Sequence, residues 1–170
     1  MNIRKLTADD AAAFREIRVE MCRLHPEAFA QTPEEVAEMS EDQCREWWAP
    51  SEVFPEKFVL AAFEGERIVG TAAFRREEML KERHRAFIWS VYVRSNARGQ
   101  GISKLLMQQI IDEARRMEGL EILSLVVALT QTSARTLYTA LGFFTTGLIL
   151  HGYKLPDGRY IDHEEMMLWL

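Results

Sequence analysis

The stretch from Phe87 to Met117 most constrains how this chain folds, because glycines join a strand-like segment to a helix-like one. Residues 87–93 read FIWSVYV, an apolar run rich in β-branched and aromatic side chains that is typical of a strand. After residue 101 the apolar residues recur with helical spacing, at Ile102, Leu105, Leu106, Ile110, Ala114 and Met117. We therefore predict a strand, a glycine-rich turn and a long helix in direct succession.

The turn between these two elements predicts an anion-binding site. Residues 98–104 read RGQGISK. A helix begins with backbone N–H groups that have no partner inside the helix, and its dipole places positive charge at that end. Phosphate oxygens bind readily there, and Gly99 and Gly101 lack the Cβ that keeps a bulky anion away from the backbone.

Two common phosphate-binding motifs do not match this loop. A dinucleotide-binding fingerprint needs a third glycine, but Lys104 stands at that position, and the loop comes late in the chain. A nucleoside-triphosphate loop ends in Gly-Lys-Ser or Gly-Lys-Thr, which this sequence lacks. Dinucleotide and nucleoside-triphosphate sites are therefore remote interpretations of this loop.

A second motif lies in residues 131–143, which read QTSARTLYTALGF. Gln131 and Tyr138 are two helical turns apart, so a helix brings both to the same face. Tyr138 also falls in the apolar stripe of this helix. By helical periodicity alone, a core role for Tyr138 is therefore favoured over a catalytic one.

Together the two motifs resemble those of the GCN5-related N-acetyltransferase family. The family's first pattern is Arg or Gln, two residues, Gly, one residue, then Gly or Ala; Arg98 and Gly101 fit, and Ser103 stands at the last position. Its second pattern is Asn, two residues, Ala, two residues, Leu-Tyr, then Gly-Phe. Gln131 replaces the Asn, and the matching residues are Ala134, Leu137, Tyr138, Gly142 and Phe143. The resemblance extends over roughly the whole chain and is strongest over residues 58–143.

The resemblance implies how acetyl-CoA would bind. Backbone groups of Val91 and Val93 would pair with the pantetheine arm as an added strand pairs with a sheet edge. Backbone amides of residues 98–104 would hold the pyrophosphate, assisted by the charges of Arg98 and Lys104. The implied binding residues are Val91, Val93, Arg98, Gly99, Gln100, Gly101, Ile102, Ser103, Lys104 and Gln131. The thioester would lie between the strand at 87–93 and the strand at 121–129.

The resemblance also implies direct attack of the acceptor amine on the thioester in a ternary complex, without an enzyme nucleophile. Tyr138 is the implied catalytic residue, a general acid that protonates the departing thiolate; an ordinary phenol is protonated at neutral pH. A backbone N–H near Val91 would polarise the carbonyl oxygen. The group that accepts the proton of the amine stays open. The candidates are water acting through Ser90 or backbone carbonyls, and a set of carboxylates, which are Glu77, Glu78, Asp162, Glu164 and Glu165.

The fold class implied is α/β (α+β), a single N-acetyltransferase domain over residues 1–170 with a mixed, mostly antiparallel sheet of about seven strands flanked by helices. The predicted strands are 2–6, 58–63, 68–74, 87–93, 121–129, 145–155 and 160–170. A capping signature at Thr7 and Asp10 begins a helix that runs to about Leu24. A second helix begins at Thr32-Pro33 and has Trp47 and Trp48 near its end.

Two other segments have a predicted structural role. Trp47 and Trp48, with Pro50 and Pro55 after them, are interpreted as core or rim anchors rather than pocket residues. The highly charged connection 75–85 has mixed sign, which favours a solvated hairpin tip over a buried role.

Composition excludes several classes of partner. A net charge of -5 and a pI near 5.5 argue against nucleic acid as an obligatory partner. No apolar run approaches the roughly 20 residues that span a bilayer, and the N-terminus lacks an apolar signal-peptide core, so we expect a cytoplasmic protein without a membrane partner. Cys22 and Cys44 are predicted to be buried thiols. The four histidines show no ligand spacing, so no metal is predicted.

The predicted function is transfer of an acetyl group from acetyl-CoA, as cosubstrate, to a primary amine. The acceptor stays open among small molecules, such as polyamines, amino acids and antibiotics, and peptide amines such as protein N-termini. A homodimer is possible, since dimers are common in the family. The alternative is a non-catalytic acyl-CoA-binding sensor, in which Ser103 and Gln131 mark a pocket that binds without turnover; Tyr138 favours the enzyme.

Overall fold

The computed structural model describes residues 1–48 and 56–170, so Pro50 and Pro55 lie outside the described residues. Seven strands form one sheet: β1 (Asn2–Lys5), β2 (Lys57–Glu64), β3 (Arg67–Arg76), β4 (Arg85–Val93), β5 (Ile122–Ala128), β6 (Phe144–Lys154) and β7 (Tyr160–Trp169). Their order across the sheet is β1-β2-β3-β4-β5-β7-β6. The β4–β5 pair is parallel and the other neighbouring pairs are antiparallel. The predicted mixed, mostly antiparallel sheet of about seven strands is confirmed.

Five α-helices accompany the sheet in the described residues: α1 (Ala11–Leu24), α2 (Pro33–Glu38), α3 (Glu41–Trp48), α4 (Ile102–Ala114) and α5 (Thr132–Ala140). The predicted cap of the first helix forms, because the Thr7 N–H donates to the Asp10 carboxylate at 2.7 Å. The single helix predicted after Thr32 is wrong. A second capping box divides it, in which the Gln43 N–H donates to Ser40 Oγ at 3.2 Å and the Ser40 N–H donates to Gln43 Oε1 at 2.8 Å.

Helices cover both faces of the sheet, which explains why β2 is apolar without interruption from Phe58 to Phe63. Successive side chains of a strand point to opposite faces. On one face Leu60 and Ala62 pack in a core with Leu106 and Ile110 of α4. On the other face Val59, Ala61 and Phe63 pack with α1 residues, namely Phe14, Ile17 and Met21. The two cores fix α1 and α4 on opposite sides of the strands that form the centre of the sheet.

The charged connection between β3 and β4 is partly solvated, as predicted, but its ends belong to the strands. Residues 79–83 are exposed. Arg76 is mostly buried, and its Nη1 donates to both carboxylate oxygens of Glu56 at 3.0 and 3.1 Å. The prediction of a solvated tip is therefore wrong for Arg76, because a carboxylate from outside the segment compensates its charge.

Candidate functional site

The sheet opens between its two central strands, and this opening forms a cleft. Backbone pairing between β4 and β5 joins Arg85–Phe87 to Ile122–Ser124. Beyond these residues both strands border a cleft of about 1050 Å³, whose walls include residues 87–93 and 125–128. The cleft thus lies where two neighbouring strands would otherwise continue to pair.

A β-bulge in β4 lies beside this opening. Tyr92 pairs with Thr71 and Trp89 pairs with Ala73, so β4 carries one more residue than β3 across this interval. Ser90 has φ of 52°, in the left-handed region that a serine rarely adopts. A bulge bends its strand and increases the local twist. Side chains of β3 and α1 hold this bulge in place. Thr71 Oγ1 donates to the Ser90 carbonyl, and Arg18 Nη1 donates to Ser90 Oγ.

The glycine loop forms one end of the cleft. Arg98, Gly99, Gly101, Ile102 and Ser103 line it, and α4 begins directly after Gly101. Gly99 and Gly101 have φ of 78° and 75°, and a Cβ at either position would meet no atom within 4 Å among the described residues. The loop therefore fits a pyrophosphate group, since the space above its backbone at the start of a helix is open.

Two of the predicted binding residues in this loop do not line the cleft. Gln100 and Lys104 are exposed, and neither is among the residues that line the cleft. Binding of the pyrophosphate through their backbone amides and, for Lys104, through its charge stays a prediction.

Helix α5 supplies the facing wall. Gln131, Ser133, Ala134, Leu137 and Tyr138 all line the cleft. Tyr138 is also part of the core, with 6% of its surface exposed and its ring centroid 6.0 Å from that of Phe143. Burial raises the pKa of the Tyr138 phenol above its ordinary value. The core and cleft interpretations of Tyr138 are thus compatible, because the residue belongs to both.

A chain of hydrogen bonds crosses from the glycine loop to α5. Arg98 Nη2 donates to His25 Nε2 at 3.0 Å, and His25 Nδ1 lies 3.4 Å from Glu27 Oε1. The same oxygen of Glu27 accepts a hydrogen bond from Gln131 Nε2. Residues that follow α1 therefore connect two of the predicted binding residues, Arg98 and Gln131, across the cleft.

The other end of the cleft is formed by side chains from α1, α3 and the strands β2 and β3. Trp47 lines it, and the Arg18 guanidinium lies 4.5 Å from the Trp47 ring centroid. The interpretation of Trp47 as an anchor rather than a pocket residue is incomplete, because its side chain packs against the core and also lines the cleft. Sequence reasoning missed five residues of the cleft lining with charged or imidazole side chains; four are at this end, Arg18, Glu46, Lys57 and Arg75, and the fifth is His25 beside the glycine loop. The sequence contains one indication that Arg18 is buried, because this arginine interrupts the apolar stripe of α1 four residues after Phe14.

The carboxylates considered as bases from the sequence lie away from the cleft lining. Glu164 is buried, accepts hydrogen bonds from Arg135 and Thr145, and has a lowered pKa because Arg135 donates to its charged form. Asp162 accepts the His151 N–H at 2.7 Å. Glu46 is the residue that contributes a carboxylate to the cleft lining, among the residues that the structure describes.

Three further predictions concern cysteines, metals and membranes. Cys22 and Cys44 are buried free thiols, as predicted. No group of three or more His, Cys, Asp or Glu side chains within 1–48 and 56–170 is arranged to hold a metal ion. In the same ranges, no helix has the length and apolar character needed to cross a membrane.

Comparisons with known proteins agree with this geometry. The model of the acetyltransferase (GNAT) family matches residues 16–143. A search of curated protein sequences gave no significant match. Among solved structures, a ribosomal-protein-alanine N-acetyltransferase from Brucella melitensis is 25% identical with a TM-score of 0.76, and the match covers 100% of both chains. A GCN5-related N-acetyltransferase from Kribbella flavida is 25% identical with a TM-score of 0.82, over 99% of this chain and 97% of that one.

A third solved structure is similar and contains a ligand. The protein yncA from Salmonella typhimurium, solved with its cofactor acetyl-CoA, is 26% identical with a TM-score of 0.75, over 100% of this chain and 94% of that one. The family model covers well over half of the present chain, from α1 to the Gly-Phe pair that ends the second motif. On these grounds the chain belongs to the acetyltransferase (GNAT) family.

Proposed function

We propose that the protein transfers an acetyl group from acetyl-CoA to a primary amine by direct attack in a ternary complex. The observation that carries this proposal is the opening between β4 and β5. It offers an extended ligand an unpaired strand edge, an anion-binding loop at one end and a buried phenol in the facing wall. The structure of the Salmonella typhimurium relative with acetyl-CoA supports the choice of cosubstrate.

Backbone groups bind most of the cosubstrate in this proposal. Val91 and Val93 pair with the amides of the pantetheine arm, as an added strand would. The amides of residues 98–104 bind the pyrophosphate, and the charges of Arg98 and Lys104 assist them. Gln131 contributes its side-chain amide from α5, and Ile102 and Ser103 form the floor where α4 begins.

The chemical step depends on positioning. The amine nitrogen forms a bond to the acetyl carbon while the bond from that carbon to sulfur breaks, the electron pair leaves with sulfur, and the proton that the nitrogen loses passes to water. The N–H of Val91, which together with Ser90 stands opposite one residue of β3 at the bulge, stabilises negative charge on the carbonyl oxygen. The Tyr138 phenol gives its proton to the departing sulfur and regains one from water; because burial raises its pKa, the phenol is protonated throughout the neutral range before the step.

Release of free CoA tests this proposal. The purified protein is incubated with acetyl-CoA and a panel of amines that includes polyamines, amino acids and peptides beginning with alanine, and free thiol is followed with a thiol reagent. We expect release well above the hydrolysis background with at least one acceptor. A sensor without catalytic activity would instead bind CoA in calorimetry and release no thiol with any amine.

A further inference from the structure

Two arginines are buried beside β4, and their surroundings differ in charge. Arg94 is 3% exposed, and its guanidinium donates to the carboxylates of Glu16 and Glu20. Arg18 is 5% exposed, but its hydrogen-bond partners in the described part of the chain are neutral. Nη1 donates to Ser90 Oγ, Nη2 donates to Gln31 Oε1 at 2.6 Å, and Nε has no partner there.

Within residues 1–48 and 56–170 no carboxylate forms an ion pair with the Arg18 guanidinium, which lies 4.5 Å from the centroid of the Trp47 ring. A buried guanidinium is costly unless an anion is near it, and burial lowers the pKa of Arg18. The ionisable groups that act on it most are the thiols of Cys22 and Cys44. Burial raises the pKa of both thiols, so they are neutral at pH 7 and do not balance the cation. Because Arg18 also lines the cleft, an anion that enters the cleft can supply the missing charge.

We propose that Arg18 binds a carboxylate of the acceptor, and that the acceptor is a small α-amino acid or a close analogue rather than a polyamine or a peptide N-terminus. This inference rests on the proposed function. The guanidinium uses two of its five N–H donors on Ser90 and Gln31, which leaves donors for the two oxygens of a carboxylate.

The distance between the carboxylate and the reacting amine must be short. Arg18 is hydrogen-bonded to Ser90, and the next residue, Val91, carries the N–H that is proposed to hold the acetyl carbonyl. A carboxylate on Arg18 therefore lies close to the reacting carbon. An α-amino acid has its amine and carboxylate on one carbon, whereas a peptide N-terminus has an amide in place of that carboxylate.

The rest of this end of the cleft fits the same acceptor. Lys57 and Arg75 line it, and Arg75 is ion-paired with Glu77 at 3.4 Å, so that with Arg18 three cationic side chains stand against the described carboxylates of Glu46 in the lining and Glu77 beside it. This balance repels a polyamine and attracts an anion, although the chain as a whole carries -5. Aromatic side chains also line the cleft here, which favours an amino acid with an apolar or aromatic side chain; they are Phe29, Trp47, Phe87 and Trp89.

Matched acceptor pairs test the inference with the unchanged protein. Each proteinogenic L-amino acid is compared with the amine that its decarboxylation gives, for example L-phenylalanine with phenethylamine and L-leucine with 3-methylbutylamine. Rates of thiol release give kcat/KM, which is calculated for the concentration of unprotonated amine because the two amines of a pair differ in pKa. We expect the best amino acid to exceed its decarboxylated partner by about 100-fold, since loss of the carboxylate leaves the buried guanidinium unpaired.

Substitution of Arg18 separates anion binding from a purely structural role. Arg18→Met should lower kcat/KM for the amino acid about 100-fold and change that for the decarboxylated amine by only a few fold, so that the preference is lost. Arg18→Lys keeps the charge but not the paired donors, and should retain part of the preference. Arg23→Met removes the same charge from an exposed position on α1 and should leave the preference unchanged.

The outcomes distinguish this inference from the function on which it rests. Comparable kcat/KM for both members of each pair, or faster acetylation of alanine peptides than of any amino acid, would overturn the role of Arg18 and leave acetyl transfer standing. An equal loss for both members in Arg18→Met would assign Arg18 to the support of the bulge alone. No thiol release with any acceptor would overturn the proposed function and this inference together.

Discussion

The side-chain hydroxyl of Thr71 donates a hydrogen bond of 2.8 Å to the backbone carbonyl of Ser90 in the interior of the sheet. Thr71 is fully buried and Ser90 is 5% exposed. The bulge interrupts the regular β3–β4 ladder at this point. Thr71 therefore gives a buried carbonyl the partner that a regular ladder would have supplied.

Replacement of this hydroxyl should destabilise the bulge. Thr71→Val keeps the shape but leaves the Ser90 carbonyl without its donor, so we expect the free energy of unfolding to fall by about 1–3 kcal/mol. We also expect a lower kcat, because Val91 follows Ser90 directly. Thr71→Ser keeps the hydroxyl and serves as the control. Urea unfolding and thiol release measure the two effects, and a valine variant with unchanged kcat would show that the bulge does not depend on this bond.

The Tyr138→Phe variant should separate chemistry from cosubstrate binding. Removal of the phenol oxygen leaves the ring in the core beside Phe143 but removes the proposed donor to sulfur. We expect kcat at saturating acceptor to fall about 100-fold or more while the Kd for CoA stays within a few fold. Tyr160→Phe, at an exposed position of β7, is the control for loss of a tyrosine hydroxyl. Unchanged turnover in Tyr138→Phe would remove this residue from the mechanism.

The features of the fold that depend on neighbours in sequence were predictable. The cap formed by Thr7 and Asp10 is an example, because the groups that interact lie within a few residues of each other. The break at Ser40 was also readable, as a serine followed three residues later by a glutamine.

The acceptor end of the cleft was not predictable for a physical reason. Ser90 and Arg18 are 72 residues apart in sequence, and their contact exists only because α1 packs across the centre of the sheet. A charge within an apolar helical stripe indicates burial but does not reveal its partner. The opposite end was easier, because one contiguous loop, residues 98–104, contains most of the predicted phosphate-binding groups.

The ion pair of Arg4 and Asp10 predicts a specific dependence of stability on pH. Arg4 donates to both carboxylate oxygens of Asp10, at 2.6 and 2.8 Å, and this contact lowers the pKa of Asp10 from 3.8 to about 2. Because the folded pKa lies below the unfolded one, the stabilisation is complete above about pH 4 and is lost as the pH falls from 3.8 towards 2.

Asp10→Asn should therefore lower the free energy of unfolding by about 1–2 kcal/mol at pH 7, a value reduced for the partial exposure of Arg4. Near pH 2 the variant and the unchanged protein should differ much less. Asp9→Asn, at the exposed neighbouring position, should cost little at either pH. Urea unfolding at the two pH values measures these differences, and a difference that is constant with pH would contradict the assigned pKa.

Two glycines with similar backbone geometry allow a controlled test of the phosphate loop. Gly101 has φ of 75° and Gly65, in the β2–β3 turn, has φ of 60°. A Cβ at either position meets no atom within 4 Å among the described residues, so Gly101→Val and Gly65→Val should carry a similar backbone cost of about 1–2 kcal/mol. Of the two, Gly101 lies in the cleft lining and Gly65 does not.

We expect Gly101→Val to weaken CoA binding at least about 100-fold in titration calorimetry, because its side chain blocks the approach of the pyrophosphate to the backbone amides. Gly65→Val should bind CoA like the unchanged protein with a comparable decrease in Tm, and undiminished affinity in Gly101→Val would place the pyrophosphate elsewhere.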